Sequence, residues 1–201
     1  MRVVDELKTA DDAIYRAVAG FSTPVLDGPL RAVSDFANHS KPWFLTAAAM
    51  VALGGRQGRL AAVTGVAAIG VTSFVVNQPM KRLRRRVRPD RPGLGVPESR
   101  WVSMPTSTSF PSGHSASAAA FAVSVGHLLP ATRWPLRAGA GTVAFSRVYT
   151  GVHYPGDVIV GLVTGMVLGG ATARVARYLD RRFGKADDQP DSGPDPSAEV
   201  T

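Results

Sequence analysis

The chain has no cysteine, which excludes a disulfide framework and a thiolate metal site. Acidic residues are in the minority, 15 Asp and Glu against 23 Lys and Arg, giving a formal charge of +8. Such a chain suits an anionic partner. The basic residues lie beside long apolar segments, and neither zinc-finger spacing nor an aromatic-studded basic sheet pattern occurs, so nucleic acid is set aside in favour of membrane lipid. Internal repeats are absent. No cleavable signal peptide is expected, because Asp5, Asp11 and Asp12 interrupt any apolar run at the start. Leu60 to Met80 has no charged residue at all and reaches the ~20-residue length of a spanning helix.

At 201 residues and 45% hydrophobic content, the chain fits one domain with a substantial core. Val3 to Gly20 has apolar residues at helical spacing between charged ones, an amphipathic helix suited to the membrane interface, and a second helix follows the Pro24 break to about Asn38. Apolar segments at Pro42–Gly55, Leu60–Met80, His114–Leu129, Trp134–Thr150 and Asp157–Leu179 predict an all-α integral membrane bundle of about five spanning helices. Gly161, Gly165, Gly169 and Gly170 permit close helix approach there. Residues 1–40 read as interfacial helices, 41–183 as the membrane domain and 184–201 as a disordered tail, since Ala186 to Thr201 has almost no apolar content. Pro89 to Pro111, rich in Pro and Gly, predicts an irregular loop.

Three separated pieces carry chemistry: Lys81 with Arg88-Pro89, Pro111-Ser112-Gly113-His114, and Ser146-Arg147 followed by His153 and Asp157. Phosphoryl transfer is mainly positioning plus stabilisation of charge on non-bridging oxygens. Lys81, Arg88 and Arg147 supply cations for that purpose. Ser112 and Gly113 precede a helical run, whose exposed N–H groups suit an anion. His153 and Asp157, four apart, share one helical face, so the carboxylate can hold one ring nitrogen while the other attacks phosphorus. His114 can protonate the departing oxygen. None of the pieces supplies a metal-ligand set, and no cofactor is implied. Threading five spans alternately puts all three pieces on one membrane face.

The spacing Lys81-x6-Arg88-Pro89, Pro111-Ser112-Gly113-His114 and Ser146-Arg147-x5-His153-x3-Asp157 resembles the three-part signature of the type 2 phosphatidic acid phosphatase superfamily, PAP2, which shares its site with vanadium haloperoxidases. The resemblance implies a metal-independent helical lipid phosphatase. It makes His153 the nucleophile that forms a phosphohistidine, Asp157 its orienter, His114 the acid, and Lys81, Arg88, Ser112, Gly113 and Arg147 the phosphate binders. It is nearest to small bacterial enzymes of the cell membrane, acting on phosphatidate, phosphatidylglycerol phosphate, or a polyprenyl-linked phosphate such as decaprenyl phosphoribose phosphate. A polyprenyl pyrophosphate, a vanadate-dependent oxidant and a non-enzymatic lipid-phosphate carrier are the alternatives.

Other residues receive plainer expectations. Arg82, Arg84, Arg85 and Arg86 read as headgroup contacts or topology determinants. A second frame, Arg84-x6-Arg91-Pro92, begins with Arg, and the Lys81 frame is preferred. His39 and His127 read as interfacial or satisfied histidines, Tyr149 and Tyr154 as packing residues, and Asn77 and Gln78 as partners for loop backbone.

Overall fold

Prolines mark three helix starts, where their missing N–H costs nothing. In the computed structural model, which describes residues 2–183, every regular element is helical and no strand occurs among the described residues. The amphipathic helix α1 (Arg2–Ala19) leads to α2 (Pro24–Phe36), a tight turn at Asn38–Ser40, and α3 (Lys41–Leu53). Helix α4 (Gly55–Val75) continues through a widened π-type turn, Val76–Met80, into the single turn α5 (Lys81–Leu83). Pro79 lies inside that turn; a proline interrupts the normal ladder, and the wider turn absorbs it without ending the rod. After the irregular segment come α6 (Gly113–Leu128), α7 (Arg133–Tyr149) and α8 (Pro155–Phe183). The expected tail, 184–201, lies outside the described residues.

Helix α6 occupies the centre, with α4, α7 and α8 packed around it. Its sequence is rich in Ala and Ser and contains no Asp, Glu, Lys or Arg, and positions Ser115 to Gly126 are buried continuously. A helix apolar or small on all sides has no solvent face. Phe121 stacks against Trp43 of α3, ring centroids 5.5 Å apart, in the main core cluster. The outward faces of α3, α4 and α8 carry exposed Leu45, Leu53, Val63, Phe74, Ile159, Val163 and Val167, an apolar belt that matches lipid rather than water. Two rods, Gly55–Leu83 and Pro155–Phe183, are long and apolar enough to cross a membrane. The other bundle helices, at 13, 16 and 17 residues, fall short of the usual span, so the expected five-helix bundle is present while the number of crossings is not fixed by helix length.

The contact between α6 and α8 sets the active end. Gly161, Gly165 and Gly169 lie against the backbone of Ser112, Ala116 and Ala120, and a methyl group on any of them would collide with a carbonyl oxygen there. Two matched rows of small residues therefore bring the backbones together. Gly165→Val is expected to cost about 1–3 kcal/mol or more through overpacking, read as a lowered thermal midpoint in detergent; an unchanged midpoint would contradict this packing.

Loop 84–112 is folded back over the bundle end and tied to the N-terminal helices. Buried Arg100 donates to the carbonyls of Val18, Ala19 and Phe21 and to the Asp27 carboxylate. Tyr149 donates its hydroxyl to the same carboxylate at 2.5 Å. Tyr149 thus packs and bonds within the scaffold, as Tyr154 does against Tyr15.

Candidate active site

The chain after α7 must reverse sharply to enter α8. Gly151, at φ +72°, takes the left-handed position that such a turn requires, and the N–H groups of Val152 and His153 both donate to the Arg147 carbonyl at 3.1 and 3.2 Å. This holds the His153 ring between α7 and the start of α8, 2% exposed. Asp157, in the first turn of α8, is fully buried. Its Oδ2 lies 3.7 Å from His153 Nδ1 and accepts from Ser109 Oγ at 2.5 Å and the Tyr154 N–H at 3.1 Å, while Oδ1 accepts from Arg86 Nη1 at 3.0 Å. The other ring nitrogen, Nε2, is 3.2 Å from Arg88 Nη1. One nitrogen therefore faces the carboxylate and the other the cations, the division a nucleophilic imidazole needs.

Ser112 caps α6, its Oγ accepting from the Ser115 N–H at 3.4 Å, and its own N–H donates to the Asp157 carbonyl at 2.9 Å. The start of α6 is thereby fixed to the start of α8. His114 projects from the first turn of α6, and Asn38 Oδ1 lies 3.0 Å from its Nε2, accepting from that nitrogen.

The cations come from three directions. Arg88 donates to the carbonyls of Val152 at 2.7 Å and Ser107 at 2.8 Å. Lys81 Nζ donates to Ser107 Oγ at 3.1 Å. Arg147 is 1% exposed; its Nη1 donates to Ser34 Oγ at 2.6 Å, and its Nε has no hydrogen-bond partner. An unpaired buried N–H costs about 1–3 kcal/mol, which makes Arg147 a donor waiting for an acceptor.

Lys81, Arg88, Gly113, His114 and His153 line one cavity of about 590 Å³. Its other end is apolar, bounded by Phe44 of α3 and Val66, Ile69 and Gly70 of α4. Val66 and Lys81 are fifteen positions apart on one rod, roughly 22 Å by helical rise. Ser112, Arg147 and Asp157 stand behind the wall rather than on it.

Burial pushes the His153 imidazolium down most, the neighbouring Asp157 carboxylate pulls it back up, and the charges of Arg88 and Arg147 push it down again, leaving its pKa at about 4. A nucleophile must be unprotonated. With the folded-state value below the ordinary 6.5, the ring stays neutral and competent through the neutral range and is lost only as pH falls through about 4. An NMR titration of ¹⁵N-labelled His153 in detergent should show a midpoint near 4; a midpoint near 6.5 would contradict this electrostatic balance.

Several assignments differ from the sequence reading. Arg86 is no headgroup contact: its guanidinium bridges Asp157 and Asp11 and covers the Tyr154 ring at 3.9 Å. Arg82, Arg84, Arg85 and Val87 are exposed, whereas Arg86 and Arg88 turn inward. No local pattern separates Arg86 from its neighbours, because Arg84, two positions earlier and so on the same side of an extended segment, is exposed. His39 is exposed and lines the cavity, as does Asn77. His127 is satisfied within its helix, donating to the Val123 carbonyl at 2.7 Å. In the second frame, Arg91 bonds the Val102 carbonyl and covers Trp101, and neither it nor Arg84 lines the cavity. Ser109, Ser34 and Asn38 carry no motif and were visible only once the fold placed them.

Known proteins resemble the chain in both sequence and fold. The family model described as the PAP2 superfamily matches residues 59–181. Decaprenylphosphoryl-5-phosphoribose phosphatase of Mycobacterium tuberculosis is 36% identical over 140 residues, covering 69% of this chain and 74% of that one. Its namesake in Mycolicibacterium smegmatis is 36% identical over 156 residues, covering 74% and 77%. Among solved structures, the transmembrane PAP2 type phosphatidylglycerolphosphate phosphatase from Bacillus subtilis superposes with a TM-score of 0.67 at 24% identity, over 89% of this chain and 88% of that one.

Proposed function

The chain belongs to the PAP2 superfamily, and from that premise we propose that it is a multi-pass membrane phosphatase of the bacterial cell membrane, cleaving a phosphate monoester from a polyprenyl-linked phosphoribose lipid. The observation that carries this is one cavity with two characters. Its cationic end, with both imidazoles, suits a terminal phosphate, and its apolar end between α3 and α4 suits the start of a lipid chain. The two mycobacterial relatives are named for such a substrate. Five helices cross the bilayer in this reading, which leaves the three motif-bearing segments on one face.

The phosphate oxygens bind Arg88, Lys81 and the N–H groups at the start of α6, with the unpaired Nε of Arg147 as a further donor from just behind that wall. His153 Nε2 attacks phosphorus, forming a P–N bond as the P–O bond to the lipid breaks. Its Nδ1–H, held toward Asp157, keeps the attacking tautomer and carries the positive charge that develops on the ring. His114 gives its proton to the departing alkoxide, and the cations stabilise charge on the equatorial oxygens. Water, deprotonated by the now neutral His114, then displaces His153 and releases inorganic phosphate. In this scheme the fixed guanidinium and ammonium groups fill the role that metal ions play in other phosphoryl-transfer sites.

The test is phosphate release by purified protein from decaprenylphosphoryl-5-phosphoribose, phosphatidate, phosphatidylglycerol phosphate and a polyprenyl pyrophosphate, with His153→Ala as the background. The phosphoribose lipid is expected to turn over fastest. Release from no lipid above the background would remove the phosphatase reading and favour a carrier.

A further inference from the structure

The family match begins at residue 59, yet three members of the catalytic set are held from residues 2–40. We infer that the N-terminal helices form a positioning collar of the active site, in which Asp11 acts through Arg86 on Asp157, Ser34 acts on Arg147, and Asn38 acts on His114. This inference rests on the phosphatase reading for what the site does, and goes beyond it in assigning an active-site role to a segment whose composition suggests only membrane-surface attachment.

Each contact has a distinct consequence. Asp11, on α1, uses both carboxylate oxygens: Oδ1 accepts from the Gly156 N–H at 2.6 Å, and Oδ2 lies 2.6 Å from Arg86 Nη2. Gly156 immediately precedes Asp157. One side chain of α1 therefore fixes the backbone at the start of α8 and also the guanidinium whose other arm binds Asp157 Oδ1. With Oδ1 occupied by Arg86, Oδ2 is left for Ser109 and His153. Buried charges facing this carboxylate are Arg86 from the loop, Asp11 from α1, and Arg88 beyond His153. Asp11 is the second carboxylate on a guanidinium that otherwise has Asp157 and the Tyr154 ring, and so sets how firmly that guanidinium is held.

Ser34, on α2, is fully buried and gives Arg147 Nη1 two acceptors, its Oγ at 2.6 Å and its carbonyl at 3.2 Å. The guanidinium fork is planar and rigid, so anchoring one terminal nitrogen determines where the unpaired Nε lies. Asn38 lies two residues past the end of α2, and the next two residues, His39 and Ser40, both have left-handed backbones at φ 56° and 57°. Non-glycine residues adopt that region only where surroundings impose it. Here the kink accompanies Asn38 against His114. An acceptor on Nε2 selects the tautomer with its proton there, so after the proton transfer to the leaving oxygen the remaining proton is already bonded.

The collar is itself braced. Arg100 and Asp27 tie the corner between α1 and α2 to the loop, and Tyr149 ties Asp27 to α7. The three contacts therefore belong to one rigid assembly and not to independent surface bonds.

Asp11→Asn, Ser34→Ala and Asn38→Ala in the full-length protein test the idea, with thermal midpoints as a folding control. Misplacement of catalytic groups by an ångström can cost up to about 100-fold. Asp11→Asn and Asn38→Ala are expected to lower kcat about tenfold or more with KM within about twofold, and Asn38→Asp, which restores an acceptor, to recover much of the loss. Ser34→Ala should instead weaken inhibition by orthovanadate, the phosphate analogue that Arg147 would contact. Wild-type kcat and vanadate inhibition in all three variants would overturn the inference, as would losses that follow the thermal midpoint alone. A readout independent of turnover is ¹⁵N-histidine NMR, in which Asp11→Asn should perturb the His153 tautomer and Asn38→Ala that of His114. Unperturbed tautomers sink the collar even if lipid turnover is confirmed. Perturbed tautomers in a protein that releases no phosphate from any lipid would sink only the phosphatase reading.

Discussion

His153→Ala is expected to reduce phosphate release by about 10⁴-fold or more, the scale seen when a covalent nucleophile is removed. No neighbouring group can substitute. Asp157 is fully buried behind the ring and already bonded by Ser109, Arg86 and the Tyr154 N–H, and His114 is held by Asn38. The variant should still bind orthovanadate, because the cations that hold phosphate oxygens remain, but it should no longer yield an acid-labile, alkali-stable phosphoenzyme after rapid quenching. Turnover within about tenfold of wild type would remove His153 as the nucleophile. Loss of the bundle's thermal transition would show instead that the turn around Gly151 depends on the ring.

Arg147→Ala should cost about 10²–10³ in kcat, the usual effect of deleting one preorganised donor to a developing oxyanion. The residue has no other evident task that could absorb its unpaired Nε, and its burial means that the donor acts without competition from water. Arg147→Lys is expected to recover little. An ammonium would keep the charge, but a single point cannot both hold Ser34 and present a second N–H to the substrate. Turnover within tenfold of wild type for Arg147→Ala would show that Lys81 and Arg88 are sufficient. A recovery to wild-type rates by Arg147→Lys would show that charge alone matters and that the fork geometry does not.

Much of this was legible before any fold was known. Apolar spacing and prolines located the helices to within a few residues, as at α2 and α3, because a helix start is a local event set by a few neighbouring residues. The glycine row of α8 was readable as a close-packing face for the same reason. The ion pairs that hold the site were not readable in that way. Arg86 sits in a run of arginines whose members differ only in which side of the loop they face, and Asp11 looks like one polar position among several on an amphipathic helix.

His153 and Asp157 could be paired from sequence because they lie four residues apart on one turn, and backbone geometry carries that relation. Lys81, Arg88, His114 and Arg147 could be nominated by side-chain chemistry, though not brought together by it. Asn38 beside His114, Ser34 beside Arg147, and Asp11 beside Arg86 are separated by tens of residues, and nothing local encodes those meetings. They depend on how α1 and α2 lie across the end of the bundle, which is decided by packing around α6 and by the buried Arg100–Asp27 tie. The sequence by itself determined the helices, the apolar belt and the reactive groups; only the tertiary structure decided which polar side chains complete them, because long-range contacts follow from the burial of whole faces rather than from any residue's neighbours along the chain.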